Sequence, residues 1–183
     1  MDDIVKAAML KWPNVPHCYG WLGLDARGQW YMRDATTQLA GAFGSSSQAQ
    51  GSLLRHQKLV DFIQRNYQSA SQGPNKGQWY FQNGPQRVYV ELAVTPLIWR
   101  VQDDFSLVAH TGLHAELSAC WLDEYGRLYA QTPQGYGLIH TQDVLLASNA
   151  IEQGIWTIQE MQAQHMPSTF GYILSPSVQN KAT

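Results

Sequence analysis

In the stretch "GQWYFQNGPQRVYVEL" (77–92), Arg87, Tyr89 and Glu91 occupy alternate positions. On a β-strand that spacing puts all three on one face. A guanidinium, a phenol and a carboxylate side by side could floor an aromatic cleft. Arg87 would grip an anion through two parallel hydrogen bonds, Tyr89 would stack, and Gln82 or Gln86 would hydrogen-bond. Trp79 is expected to join this floor, with Trp21 and Trp99 as walls. The competing reading is a solvated strand face whose ion pair is worth under about 1 kcal/mol.

Other reactive groups are sparse. His17 and Cys18 are adjacent, so a strand would send them to opposite faces, a poor arrangement for a nucleophile and its base. Cys18 carries no cysteine-nucleophile signature and reads as a small apolar side chain. His110 and His114 lie four apart, but "HTGLH" contains a turn signal, so helical spacing does not apply. There is no Cys-x-x-Cys, His-Glu-x-x-His, phosphate loop, dinucleotide fingerprint or nucleophile elbow. No catalytic residue, metal or cofactor is therefore expected. A hydrolase using Cys18, His17, His110 or His140 ranks below a non-enzymatic binding module. A third reading is a homo-oligomer or complex subunit with an aromatic interface.

Bulk composition narrows the classes further. The 183 residues suit a single domain (1–183). Hydrophobic residues make up 44% and charged residues only 14%, with 12 basic against 14 acidic groups and a net charge of -2. That balance supplies no basic footprint for nucleic acid. No apolar run approaches the roughly 18 residues of a membrane span, and "MDDIVKAAMLKWPN" lacks the pattern of a signal peptide. Two cysteines are too few for a disulfide framework. A soluble cytoplasmic chain is expected, with an unknown small molecule or protein as partner and an oligomeric state that the sequence leaves open. Seven tryptophans and nine tyrosines are the unusual feature. Most should be core, with a minority lining a pocket.

The elements that must position these groups follow from periodicity and punctuation. Residues 2–12 read as a helix capped by Asp2 or Asp3 and stopped by Pro13, with 13–16 a stiff turn. Residues 17–34 read as a hairpin around "DARG", covered on both sides. Residues 36–52, rich in Gly, Ser and Gln, read as a loop that is flexible at about 41–52, or a mobile lid. Residues 53–70 read as an amphipathic helix with Ser52 as N-cap. A continuous β-meander is expected from 77 to about 141, turning at "NGPQ", "QDDF", "DEYG" and "PQG". Then come a helix opened by Asp143 and ended by Gly154, a second over "IQEMQAQHM", a last strand at "TFGYILSP", and a loose tail at about 177–183. "DARGQWY" and "DEYGRLY" share D-x-x-G-x-x-Y, the same turn chemistry used twice. The resulting fold class is α+β, mainly antiparallel meander (a sandwich or partly open barrel), with a few packed helices.

The blocks "WPNVPHCYGWLGLDARGQWYMRD", "QKLVDFIQRNY", "GQWYFQNGPQRVYVELAVTPLIWRV", "AHTG" and "LIHTQD" span most of residues 12–143. In this order they resemble an uncharacterised family of proteobacterial proteins. The resemblance implies a bacterial protein of unknown role and carries over no catalytic residues.

Overall fold

The computed structural model describes residues 2–12 and 15–181. The chain builds two compact units, one from residues up to 25, 29–93 and 172 onward, the other from 26–28 and 94–171. Both combine helices with a mixed sheet, an α+β architecture without a closed barrel.

The first unit begins with α1 (Asp3–Lys11), which buries Val5 and places Asp3 and Lys11 at the ends favoured by the helix dipole. The expected Pro13 stop, with Asn14 of the following turn, lies outside the described residues. Strands β1 (Cys18–Leu24) and β2 (Trp30–Met32) form the expected hairpin. Asp25 closes it: its amide donates to the Gln29 carbonyl, and its carboxylate accepts the Gln29 N–H at 2.8 Å.

Residues 36–52 are more regular than a loop. Helices α2 (Ala35–Leu39) and α3 (Ser47–Gln50) are capped by the Asp34 and Ser46 side chains, and β3 (Ser52–Leu53) pairs with β2. The organiser is Arg33, which is buried. Its guanidinium donates to the carbonyls of Ala49 at 2.9 Å and Gly41 at 2.7 Å. A buried cation ringed by carbonyls is a long-range device that local composition does not reveal.

The next helix is shorter than expected. α4 (Gln57–Arg65) is capped by His56, whose Nδ1 accepts the Leu59 N–H, rather than by Ser52. Leu53 is drawn into β3, and β4 (Tyr67–Ser69) pairs with β5 (Trp79–Asn83), so strand pairing trims both ends. β5 and β6 (Gln86–Leu92) form the hairpin of the opening stretch. Gly84 (φ 57) takes the first central position and Pro85 the second, the pattern of a two-residue type II′ turn.

The first sheet runs β3-β2-β1-β6-β5-β4, with β1 and β6 parallel. This ends the expected continuous meander at Leu92. β6 is already flanked by β5 and β1, so the following strand has no ladder there to join. It opens the second unit instead.

That unit contains β7 (Leu97–Val101), β8 (Leu107–Ala109), β9 (His114–Ala115), β10 (Ala119–Leu122), β11 (Leu128–Thr132) and β12 (Gly135–Ile139). α5 (Val144–Glu152), β13 (Ile158–Glu160) and α6 (Met166–Phe170) follow. The helix expected over 158–166 is mostly absent. Ile158 to Glu160 pair in parallel with β10, and tertiary pairing overrides their weak helical preference. The strand expected at 169–176 is absent as well, since Thr169 and Phe170 belong to α6. α7 (Pro176–Lys181) then returns to the first unit within the expected tail. Glu91, 2% exposed, holds its start by accepting the Ser177 N–H at 3.0 Å and the Ser175 hydroxyl.

The second sheet runs β13-β10-β11-β12-β7-β8-β9. Laid flat, β9 and β10 would stand five strand spacings apart, roughly 24 Å. Only residues 116–118 join them, a reach of at most about 14 Å. The sheet must therefore curl, bringing its β9 end close to β10. Leu97, Trp99, Leu107 and Ile139 share one of its faces and Tyr129 and Leu138 the other, all nearly inaccessible, so both faces are covered. Each large apolar side chain so buried contributes about 1.5–3 kcal/mol.

Candidate functional site

One feature of β1 determines the chemistry of the first unit. Cys18 pairs with Val88, but Leu22 pairs with Val90, so β1 carries two extra residues at a bulge. Gly20 sits within it at φ 81, a backbone region that side chains rarely enter. A Cβ at Gly20 would also lie 2.6 Å from Gln38 Oε1 on α2. The bulge breaks strict alternation and brings Cys18, Trp21 and Leu22 to the same cavity.

This cavity has a volume of about 310 Å³ and is almost entirely apolar. Leu59, Phe62 and Ile63 of α4 cover it at i, i+3, i+4 spacing. Phe81 and Val88 of the sheet face them, and Phe62 meets Phe81 edge-on at 5.4 Å. Trp21 and Met32 also line it, each 46% exposed. Cys18 is a half-buried free thiol in its wall.

The face carrying Arg87, Tyr89 and Glu91 is occupied differently. Tyr89 is inaccessible, stacked on Tyr19 at 4.6 Å and 5° and packed against Tyr80 at 5.6 Å. Its hydroxyl accepts from Asn75 Nδ2 at 2.9 Å. Arg87 lies over the Tyr80 ring at 4.5 Å, a cation–π contact. His17 meets Tyr89 edge-on at 5.8 Å, and burial, with the Arg87 charge, lowers its pKa. Burial also lowers the pKa of Arg33, a shift opposed by the Glu91 carboxylate.

The six residues expected to form one cleft are therefore distributed over four places. Arg87, Tyr89 and Glu91 share a face, as alternation required. Trp79 lies on the other side of that sheet, since Phe81, its neighbour on the strand face, pairs with Val88 while Tyr80 pairs with Tyr89. There it packs against Tyr67 at 4.9 Å. Trp99 belongs to the second unit, buried against Gly137. Trp21 alone of the six lines the apolar cavity.

Cys120 is buried, and desolvation raises its pKa to about 11, which suppresses the reactive thiolate. His110 accepts the Ile98 N–H at its Nδ1, and burial of the ring lowers its pKa to about 3. His140 accepts the Gln142 N–H at the start of a 3₁₀ turn. Among the described residues no three His, Cys, Asp or Glu side chains converge as a metal site would require. No helix is long and apolar enough to cross a membrane.

The cavity has no signature in the sequence, but its α4 wall does. The stripe on α4 was visible. The bulge had one signal, an isolated glycine within a strand pattern.

The family model DUF2944, described as "Protein of unknown function (DUF2946)", matches residues 1–177. No curated protein matches the chain. Among solved structures, a DUF1285 family protein from Silicibacter pomeroyi is similar at 12% identity, over 74% of this chain and 72% of that one, with a TM-score of 0.47. A DUF1285 family protein from Shewanella baltica is similar at 12% identity, over 70% of this chain and 91% of that one, with a TM-score of 0.46.

Proposed function

We propose, from the premise that this chain belongs to the DUF2944 family of unknown function, that it is a non-enzymatic binding module of the bacterial cytoplasm. Its ligand is an apolar small molecule held beneath α4. The observation that carries this reading is the cavity of about 310 Å³, walled by Leu22, Phe62 and Phe81 and lined by Trp21. Such a volume lies at the lower end of small-molecule pockets. The apolar lining around Cys18, which includes no imidazole, supports binding over hydrolysis. His17 lies against Tyr89 on the other face of the sheet.

N-phenyl-1-naphthylamine, an uncharged fluorescent probe, tests this. It should bind saturably and quench or shift Trp21 emission. Val88→Phe fills the cavity from the sheet side. It should abolish probe binding while leaving the thermal midpoint within a few degrees of the parent. Unchanged binding in the filled variant would overturn the assignment.

A further inference from the structure

Four hairpin turns of this protein close in the same way. The amide of the first residue donates to the carbonyl four positions on: Asp25 to Gln29, Gln102 to Ser106, Ala109 to Leu113 and Asp123 to Arg127. In each, the fourth residue adopts a left-handed backbone. Three turns place glycine there: Gly28 (φ 78), Gly112 (φ 82) and Gly126 (φ 76). The turn between β7 and β8 places Phe105 there, at φ 64.

At Gly28 a Cβ would lie 2.7 Å from the His110 Cβ, but crowding does not explain the other two glycines. A Cβ at Gly112 or Gly126 would meet nothing within 4 Å. Glycine stands there for its backbone freedom alone. A bulky side chain in the same conformation is an outlier, strained by contact between its Cβ and the backbone. Phe105 is only half-buried, so core packing offsets little of that strain. Strain of this kind points to a use for the ring.

The ring lines a cavity of about 330 Å³, formed where the curled sheet brings its two ends together. Trp156 and Ile155 also line it. Asp104 and Glu116 supply the charged groups, and no lysine or arginine is among the lining residues. Asp104 Oδ1 accepts the Ser106 N–H and hydroxyl, which holds the carboxylate in place, while Oδ2 carries neither bond. Aromatic rings beside carboxylates suit a cation attached to a flat apolar body.

We propose that this cavity is a second binding site, for a small aromatic cation. The ligand's ring packs on Phe105 and Trp156, and its ammonium or guanidinium group pairs with Asp104 and Glu116. Phe105 is kept in a strained turn because its ring forms one wall. The site lies wholly in the second unit and is independent of the cavity beneath α4.

Benzylammonium is the probe, followed by the Trp156 indole N–H resonance in a nitrogen–proton correlation spectrum of the full chain. Saturable displacement of that resonance is expected, with none from benzyl alcohol or benzoate. Phe105→Gly should fold, since glycine suits the turn, and should weaken binding at least tenfold. Asp104→Asn with Glu116→Gln should do the same. The proposal is overturned if benzylammonium produces no saturable shift, if benzoate binds as well, or if Phe105→Gly binds like the parent.

Discussion

The two cavities assigned as sites, one in each unit, have similar volumes and are opposite in character. The cavity of the first unit is nearly all apolar and owes its shape to a left-handed Gly20. The cavity of the second unit is part acidic and is walled by a left-handed Phe105. Glycine adopts that conformation freely, so the first site is an unstrained product of the sheet. Phenylalanine does not, so the second stores strain. Similar backbone geometry can thus mark a site that follows from folding or one maintained against it.

The largest test of this contrast is Gly20→Val. A β-branched residue at φ 81 must displace Gln38 as well as enter a forbidden region, and should cost about 3 kcal/mol or more. Urea denaturation checks it. A loss under about 1 kcal/mol would mean that the bulge can relax and that the first site is not set by Gly20.

The D-x-x-G-x-x-Y turns extend the comparison. Asp123 is buried and accepts from the Tyr125 and Arg127 amides, the Arg127 guanidinium and the Tyr129 hydroxyl. Asp25 accepts the Gln29 amide at 2.8 Å and the Tyr31 hydroxyl at 3.4 Å. Asp123→Ala should cost about 2–3 kcal/mol and Asp25→Ala about 0.5–1. Equal losses would show that the turn, not its surroundings, sets the energy.

Acid should separate the units in the same direction. Burial pushes the Asp123 carboxyl up, but the hydrogen bonds from Arg127, Tyr129 and Tyr125 outweigh it and hold the pKa low. The Arg100 guanidinium does the same for Asp143 despite its burial. A folded pKa below the unfolded value contributes stability above that value, about 3.9 for aspartate, and loses it as pH falls through the folded pKa. Amide protection factors in residues 97–161 should therefore fall below about pH 4. Of the lowered carboxyls in the first unit, Asp3 and Asp34 are exposed on the surface, so a weaker response is expected there. Earlier opening of the first unit would reverse the comparison.

The smallest effect is Phe105→Gly. Relief of strain, less the entropy that glycine loses and the contacts of the ring, should raise stability by up to about 1 kcal/mol. A loss larger than that would make Phe105 a packing residue.

Short-range structure was legible where chemistry is local. Asp25 with Gly28, Asn83-Gly84-Pro85 and Asp123 with Gly126 each specify a turn within a few residues. The apolar stripe of α4 announced a buried face. Its ends were not legible, because Leu53 and Tyr67 are claimed by strands distant in sequence. The order around Arg33 was hidden for the same reason. A Gly/Ser/Gln-rich segment looks structureless until a buried guanidinium collects its carbonyls.

For the sites, the sequence by itself determined which residues share a strand face. Arg87, Tyr89 and Glu91 do so by the period of two alone. Only the tertiary structure decided what that face meets. Tyr19 and Tyr80 come from neighbouring strands and close it with rings, so Tyr89 lies buried. It also decided that Trp79 and Trp99 lie elsewhere, through pairing register in one case and assignment to the second unit in the other. Alternation is a property of one strand, whereas a cavity depends on which strands and helices pack together.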